Sequence, residues 1–567
     1  LENKWTRISE VFRNYKEVFF LTFLLLITIV ITYYRVMIQV NLGPNEDTYT
    51  YLANALVFAG QGTGYADLTR PPLLSFLTSL FFRLGYVSPT VIFALDGAIF
   101  VFGVIGFYLL LKIRFSDMES LLGSLLFVTF PVTLSFVGFG FTDIPSLSFS
   151  IWAIYFTVLA VKKNSKFFCL AFPFLMLTFL ARYALAFVIF PMMLYILINN
   201  KLVKDIKDII IGILLSILFM IPILLFFYSK FGNPLYPFFN FYGATATSFP
   251  ISPENFSYNP DFFYFLFRII PVYIGMEGVA VILVILFGIL ICGINKFKKL
   301  KCVDKNRFLR ILKLDKTTKL NLILSLILLV VFISTLGKLS YMFSEFVFFA
   351  FSWGLYELLK RFDIENMDFD FLFLLWFMAF FIFHSVYLIK IDRYFLTMVP
   401  PVSYFLILGL SKVSDNLRCK IKDRTMTFNL LAIVLILLIF FSAAAYLPLL
   451  QKNIYGIKAV DEEMDSASQW LVNYDPNYKN KTIYSDKWSA FAWYLKMDVG
   501  KVPFFKGNQR FYNGVKNEDI NIKDNAAFNS YLESNNVDYY FCVRKGLNLT
   551  HYKRIKQFGN VIIYERC

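Results

Sequence analysis

Apolar runs recur along most of this chain, near 18–38, 90–111, 121–137, 145–161, 167–181, 184–198, 209–228, 274–294, 320–336, 341–359, 371–389, 395–410 and 427–446. An α-helix rises about 1.5 Å per residue, so roughly 20 apolar residues cross a hydrocarbon layer. The runs therefore predict about 13 transmembrane helices, several shorter than an ideal span. Between them the basic residues are unevenly placed. Lys112 and Arg114, Lys162, Lys163 and Lys166, Lys201, Lys204 and Lys207, the run Lys296 to Lys319, Lys360 and Arg361, and Lys412 to Arg424 all share a side with Lys4, Arg7, Arg13 and Lys16. Cytoplasmic loops carry this excess of Lys and Arg, which predicts a cytoplasmic N-terminus. The first run lacks a small-residue cleavage site and reads as a retained signal anchor.

The alternation closes only if Pro72 to Tyr86 does not cross, because a crossing there would move every later basic loop outside. That segment is predicted to lie in or dip into the outer interface. Residues 39–89 then form one outer loop, with an amphipathic helical piece at Tyr49 to Phe58 and a Gly-rich turn at residues 60–64. A second outer loop, 229–273, is rich in Pro, Phe, Tyr and Asn and reads as an interfacial lid. After the last run the sequence turns polar. Alternating patterns predict strands at Lys481 to Ser485, Val537 to Val543 and Asn560 to Tyr564, and helices at Asp461 to Asn473 and Ala526 to Ser534. The expected architecture is a polytopic α-helical membrane domain over 1–446 and a small extracytoplasmic α/β domain over 447–567. No internal repeat of the inverted-transporter kind is visible.

Composition agrees with this pattern and narrows the chemistry. Of 567 residues 58% are hydrophobic and 19% aromatic, far outside the range of soluble globular chains. The net charge of +16 is accounted for by the basic loops, so no nucleic-acid partner is expected. His384 and His551 are the 2 histidines, too few for a multi-His metal site. The 6 cysteines form no Cys-x-x-Cys; Cys542 and Cys567 fall in the outer domain, where a disulfide is conceivable. Sequons at Asn255, Asn480 and Asn548 all fall in regions placed outside.

Against this apolar background a few polar groups stand out on the outer side. Asn45-Glu46-Asp47-Thr48-Tyr49 follows the first span, and Thr69-Arg70-Pro71-Pro72-Leu73 comes about two dozen residues later. A solvated pair of loop acids is the plain alternative, but the Pro pair would hold Arg70 in a defined place at the membrane mouth. Asp143, in Thr142-Asp143-Ile144-Pro145, reads equally as a helix cap and as a site residue. Arg182 has apolar runs on both sides, so a carboxylate or phosphate partner is expected. Within Lys390-Ile391-Asp392-Arg393-Tyr394, Asp392 either pairs with Arg393 or leaves it to bind a phosphate bidentately. Arg268 and Lys338 are further outer cations that could simply snorkel to headgroups.

Taken together these motifs, in their order and on their common side, resemble the GT-C superfamily of polyprenyl-phosphate-sugar-dependent glycosyltransferases. The resemblance is to the protein O-mannosyltransferase and aminoarabinose (lipid A) transferase branch and covers nearly the whole chain. It rests on the first-loop acids with Tyr49 and Ala53, Arg70-Pro71-Pro72-Leu73, Thr142-Asp143-Ile144-Pro145, and Arg393-Tyr394-Phe395-Leu396 with Pro400 and Pro401. It implies Glu46 or Asp47 as catalytic base and Arg70, Arg182 and Arg393 as ligands of the donor phosphate. Asn45, Tyr49, Asp143, Asp392 and Tyr394 are the implied substrate-orienting groups. Two departures stand out. Asn45 and Glu46 occupy the place of the family's usual Asp-Glu, leaving Asp47 extra, and Thr69 stands where aminoarabinose transferases carry an acid, which disfavours that sugar.

The implied reaction is an inverting transfer of a monosaccharide from a dolichyl or undecaprenyl monophosphate to a protein, glycan or lipid acceptor at the outer membrane face. One base and fixed cations suffice for it; a divalent ion, Mg or Mn, is a secondary expectation. Within the superfamily an oligosaccharyltransferase is disfavoured by the lack of a Trp-Trp-Asp sequence in the outer domain. A polyprenyl-linked sugar flippase is the alternative from another class, and it would place charge near the bilayer midplane.

Overall fold

The computed structural model describes residues 16–62, 68–238, 261–299, 316–336, 338–339, 341–362, 364–387, 390–417, 424–451, 454–502, 504–506, 509–511, 522–543 and 548–567. The basic residues before Lys16, parts of the Gly-rich turn and of the 229–273 loop with Asn255, and the middle of the 296–319 run lie outside them. All 13 apolar runs coincide with helical segments. Among the described residues, 9 helices are individually long and apolar enough to cross a membrane, and the chain is a multi-pass membrane protein. The run at 121–137 is divided into Asp117–Thr129 and Pro131–Phe136, because Phe130 takes ψ 135° ahead of a proline. The runs flanking Arg182 are the short helices Phe168–Ala181 and Ile189–Ile198.

Burial sorts the helices into centre and rim. In Asp143–Lys162 89% of the apolar window is buried, against 22% in Ile206–Phe231 and 11% in Thr318–Thr335. The outer two present Leu214, Leu218, Leu225 and Val330 outward, as a lipid-facing helix does.

Pro72 to Tyr86 holds the helix Leu73–Arg83, 11 residues long and far too short to span. The first-loop helix differs from the sequence expectation. It starts at Glu46 rather than Tyr49, runs to Ala59, and is buried at every position from Thr48 to Leu56, so it is not a half-exposed amphipathic piece. Tyr49, Tyr51, Leu52, Ala55 and Leu56 share one apolar core with Phe82, Ile92, Trp493 and Phe541. The helix is thus enclosed between the membrane part and the C-terminal domain, with Glu46 and Asp47 at its less buried first turn.

In that C-terminal domain β1 (Ile483–Ser485), β2 (Gly500–Lys501), β5 (Tyr539–Cys542), β6 (Tyr552–Phe558) and β7 (Val561–Arg566) form a sheet in the order β2-β1-β5-β7-β6, while β3 (Phe504–Lys506) and β4 (Gln509–Phe511) make a separate hairpin. β1 runs parallel to β2 and β5, and β7 antiparallel to β5 and β6. The pairing of Cys542 with Ile562 puts Cys567 beyond the opposite end of β7, and neither sulfur is in a disulfide. The possible disulfide is not formed.

Two charges inside the apolar runs fix the turn that follows Pro131–Phe136. Arg35, 1% exposed, donates from Nε to the Leu134 carbonyl and from Nη2 to the Ser135 carbonyl, each at 2.8 Å. These are carbonyls that a helix C-terminus leaves unpaired. Asp96, fully buried, accepts from the Gly140 N–H at 3.0 Å. Gly140 has φ +77°, and a Cβ there would meet Thr48 Cγ2 at 2.9 Å, so only glycine passes the turn this close to the first-loop helix. Replacing Arg35 by Leu strands two buried carbonyls at about 1–3 kcal/mol each. A markedly lower thermal midpoint in detergent is expected for Arg35→Leu, and an unchanged midpoint would contradict this role.

Candidate active site

Each helix end near the first-loop helix delivers one charged group to a common place. Asn45 accepts from the Glu46 N–H at 2.6 Å, so its side chain caps the helix rather than standing free to orient a substrate. The first turn presents Glu46 and Asp47 in different directions. Asp47 faces inward: its Oδ1 lies 3.4 Å from Arg70 Nη2 and its Oδ2 accepts from Arg393 Nη1 at 2.9 Å. Glu46, half exposed, faces Lys487 of the C-terminal domain at 3.1 Å, and its carbonyl accepts from Ser489 Oγ.

Arg70 is set by Pro71 and Pro72, and Tyr183 Oη donates to the neighbouring Thr69 carbonyl at 3.3 Å. Arg182 ends the helix Phe168–Ala181 in an extended conformation, φ −158° and ψ 114°, which turns its guanidinium to Asp143 at 2.5 Å. The expectation of a carboxylate partner for Arg182 is met. Asp143 is 2% exposed and sits in the first turn of its helix, where it pairs with Arg182; the capping position is Thr142, whose side chain makes no cap hydrogen bond.

Arg393 sits in the 3₁₀ turn Asp392–Met398, its guanidinium 4.9 Å from the centre of the Phe141 ring. Tyr394 lies under Arg182, 5.2 Å from ring to guanidinium. Asp392 does not pair with Arg393. It binds Arg268 Nη1 at 3.0 Å and accepts from Tyr273 Oη at 2.8 Å, which leaves Arg393 to Asp47. Tyr49 points away from the arginines: its hydroxyl bonds Tyr494 Oη at 2.9 Å, and Tyr494 donates to Asp461 at 2.8 Å.

The electrostatics follow from this placement. Burial pushes the Asp47 carboxyl up, but Arg70, Arg393 and Arg182 together outweigh it and hold the group below the usual carboxylate range. Asp461 behaves oppositely: burial pushes it up to about 6 against the Tyr494 hydrogen bond. Among the described residues no three His, Cys, Asp or Glu side chains converge as a metal site would require. Asp47 and Asp143 are each faced by arginine, so anionic charge here would be met by guanidinium.

Three groups close to the cluster were not singled out from the sequence. Asp96 holds the turn that carries Phe141 and Asp143, and Arg35 holds its other end. Both interrupt apolar runs, a signal that marks buried ionisable groups in membrane helices. His384, 1% exposed, stacks on Tyr394 at 4.7 Å with both ring nitrogens unbonded among the described residues; a single apolar-flanked His gives no such hint.

Comparison with known proteins bears on the fold and on one segment of the chain. Residues 69–226 match the family described as dolichyl-phosphate-mannose-protein mannosyltransferase. The fold is similar to that of ArnT from Cupriavidus metallidurans, solved bound to undecaprenyl phosphate, with a TM-score of 0.52 and 10% identity over 96% of this chain and 97% of that one. It is also similar to the oligosaccharyltransferase of Archaeoglobus fulgidus in its apo form, with a TM-score of 0.53 and 14% identity over 94% of this chain and 70% of that one. No curated protein matches the chain. The architecture, a helical membrane part with a small C-terminal sheet domain, is thus similar to that of these two membrane enzymes. The chain is a multi-pass membrane protein with this fold, similar over residues 69–226 to the mannosyltransferase family.

The Arg182–Asp143 pair makes a direct test of the cluster. Arg182→Ala leaves a carboxylate that is 2% exposed without its nearest countercharge, a loss of about 3–5 kcal/mol for a buried pair. Asp143→Asn added to Arg182→Ala is expected to recover much of that loss in thermal unfolding. A double variant no better than the single one would show that the pair is not coupled.

Proposed function

We propose that this enzyme transfers a monosaccharide from a polyprenyl monophosphate to an acceptor hydroxyl at the extracytoplasmic face, by a single inverting displacement. The observation that carries the reading is Asp47 held between Arg70 and Arg393, the latter 346 positions away in the chain. A carboxylate beside fixed guanidinium groups supplies the two things such a displacement needs, a proton acceptor and a seat for the departing phosphate.

In this reading the acceptor hydroxyl attacks the anomeric carbon, its proton passes to Asp47, and the carbon–oxygen bond to the phosphate breaks with its electron pair leaving on the phosphate. Arg70 and Arg393 hold that phosphate; Arg182, braced by Asp143 and stacked on Tyr394, contributes charge from the second rank. Glu46 belongs to the contact with Lys487 and orients the helix. Asp392 and Tyr394 set the Arg393 turn. The charges of the cluster favour a monophosphate donor: three arginines face two carboxylates, leaving one positive charge over, and a sugar phosphodiester carries one negative charge. The positive-inside pattern supports an extracytoplasmic site, on the side of the C-terminal domain.

The test uses purified protein in detergent with a polyprenyl-phosphate-linked mannose and a Ser/Thr-containing acceptor peptide, followed by mass of the product. Asp47→Asn is expected to lower kcat by about 10²–10⁴, the usual worth of a general base, while Glu46→Gln keeps most of it. Arg70→Ala and Arg393→Ala should each lose phosphate binding, seen as raised KM. Because the arginines depress the Asp47 carboxyl, the group stays ionised as pH falls through 5, so the acidic limb of kcat/KM should lie below the ordinary carboxylate range. Full activity of Asp47→Asn, or an acidic limb near neutrality, would rule out Asp47 as the base.

A further inference from the structure

The oxygens of Asp47 occupy both arginines on which the donor phosphate would rest. Oδ1 faces Arg70 and Oδ2 accepts from Arg393, an arrangement in which one carboxylate stands where two phosphate oxygens would bind. Resting on the function proposed above, we infer that Asp47 is also the group that discriminates donor from product, by competing for Arg70 and Arg393 with the second charge that the phosphate acquires when the sugar leaves. The donor is a phosphodiester with one charge. The product is a phosphomonoester with about −1.5 to −2 near neutral pH.

The competition follows from charge and geometry. With Asp47 ionised, the cluster has one positive charge to spare, enough for the diester. Transfer changes both partners together: the phosphate gains a negative charge as Asp47 takes the acceptor's proton, so both guanidinium groups turn wholly to the phosphate. When Asp47 loses that proton to water it again claims Arg70 and Arg393, and the monoester is left with an excess negative charge beside a carboxylate. Product retention is thereby tied to the protonation of Asp47. The charged and titratable groups facing Asp47 are Arg70, Arg393 and Arg182, with Tyr51 beneath; Asp143 acts on the other side of Arg182 and Arg393.

Two measurements on the full-length protein in detergent test this, with a short-chain prenyl phosphate as product mimic and its methyl diester as donor mimic. First, Asp47→Asn should bind the monoester at least about tenfold tighter than the wild type, about 1.4 kcal/mol, while its affinity for the diester changes little. Glu46→Gln removes a neighbouring charge that touches neither arginine and controls for a general field effect. Second, monoester binding by the wild type should take up a proton, seen as a dependence of the calorimetric heat on the buffer's ionisation enthalpy, and Asp47→Asn should lose that uptake.

Equal gains in Asp47→Asn and Glu46→Gln, or the same proton uptake in wild type and Asp47→Asn, would overturn the inference while leaving the glycosyltransfer reading intact. Failure of the wild type to bind either prenyl ligand would overturn that reading, and the inference with it. A variant that does not fold is recognised by its melting profile, and the proton count on the wild type then decides by whether buffer choice changes the heat at all.

Discussion

The contact on which the site depends is a carboxylate shared by two arginines that reach it from different parts of the fold. Asp47 belongs to the helix that follows the first span, Arg70 to the turn before the interfacial helix, and Arg393 to a 3₁₀ turn between two late spans. None of the three could be held at a membrane mouth alone. An unpaired guanidinium or carboxylate removed from water carries a penalty of several kcal/mol, so each is stable in place only because the others are there. Part of the tertiary arrangement is therefore enforced by the electrostatics of the candidate site itself.

The scaffold beneath shows how the contact is kept. The turn that brings Phe141 under Arg393 and Asp143 to Arg182 passes between the first span and the first-loop helix with no room for a side chain at Gly140. Its backbone cannot be satisfied by water at that depth, and Asp96 and Arg35 take the place of solvent as acceptor and donor. Buried charges outside the cluster thus determine where Arg182, Asp143 and Arg393 stand. Phe141 and Tyr394 add flat surfaces on which the Arg393 and Arg182 guanidinium groups lie, narrowing their rotamers without neutralising their charge, and the His384 ring stacks on Tyr394.

Much of this was legible in the sequence, and the parts that were not have identifiable causes. The helical runs, the short helix Leu73–Arg83 and the strands β1, β5 and β7 follow from hydropathy length and from period-2 alternation, which are local properties, whereas β2, β3, β4 and β6 are not among the predicted strands. The gathering of Glu46, Asp47, Arg70, Asp143, Arg182 and Arg393 near one end of the bundle follows from topology, since alternating spans fix which loops share a side. Pairing is different. That Arg182 would meet Asp143, that Asp392 would turn to Arg268 rather than its neighbour, and that Glu46 and Asp47 would face opposite ways depend on helix rotation and on contacts hundreds of residues apart. Tyr49 shows the same limit: its position on the helix was visible, but its bond to Tyr494 required knowing that the C-terminal domain packs there. Asp96 and Arg35 did break apolar runs, yet hydropathy averaging absorbs a single charge.

The division of labour between the adjacent acids follows from the way two domains grip one helix. Residues i and i+1 on a helix point about 100° apart, so a helix wedged between the membrane part and the C-terminal domain necessarily offers one of Glu46 and Asp47 to each. Lys487 and Ser489 take Glu46 and its carbonyl, and the Tyr49–Tyr494–Asp461 chain fixes the same helix one turn further along. These bonds set the rotation of the helix about its own axis, and a rotation of even a few tens of degrees would carry Asp47 out of hydrogen-bond reach of Arg393 at a helix radius of about 5 Å including side chains. The C-terminal domain therefore acts on the candidate site through the orientation it imposes, although none of its described residues places a charged group among the arginines.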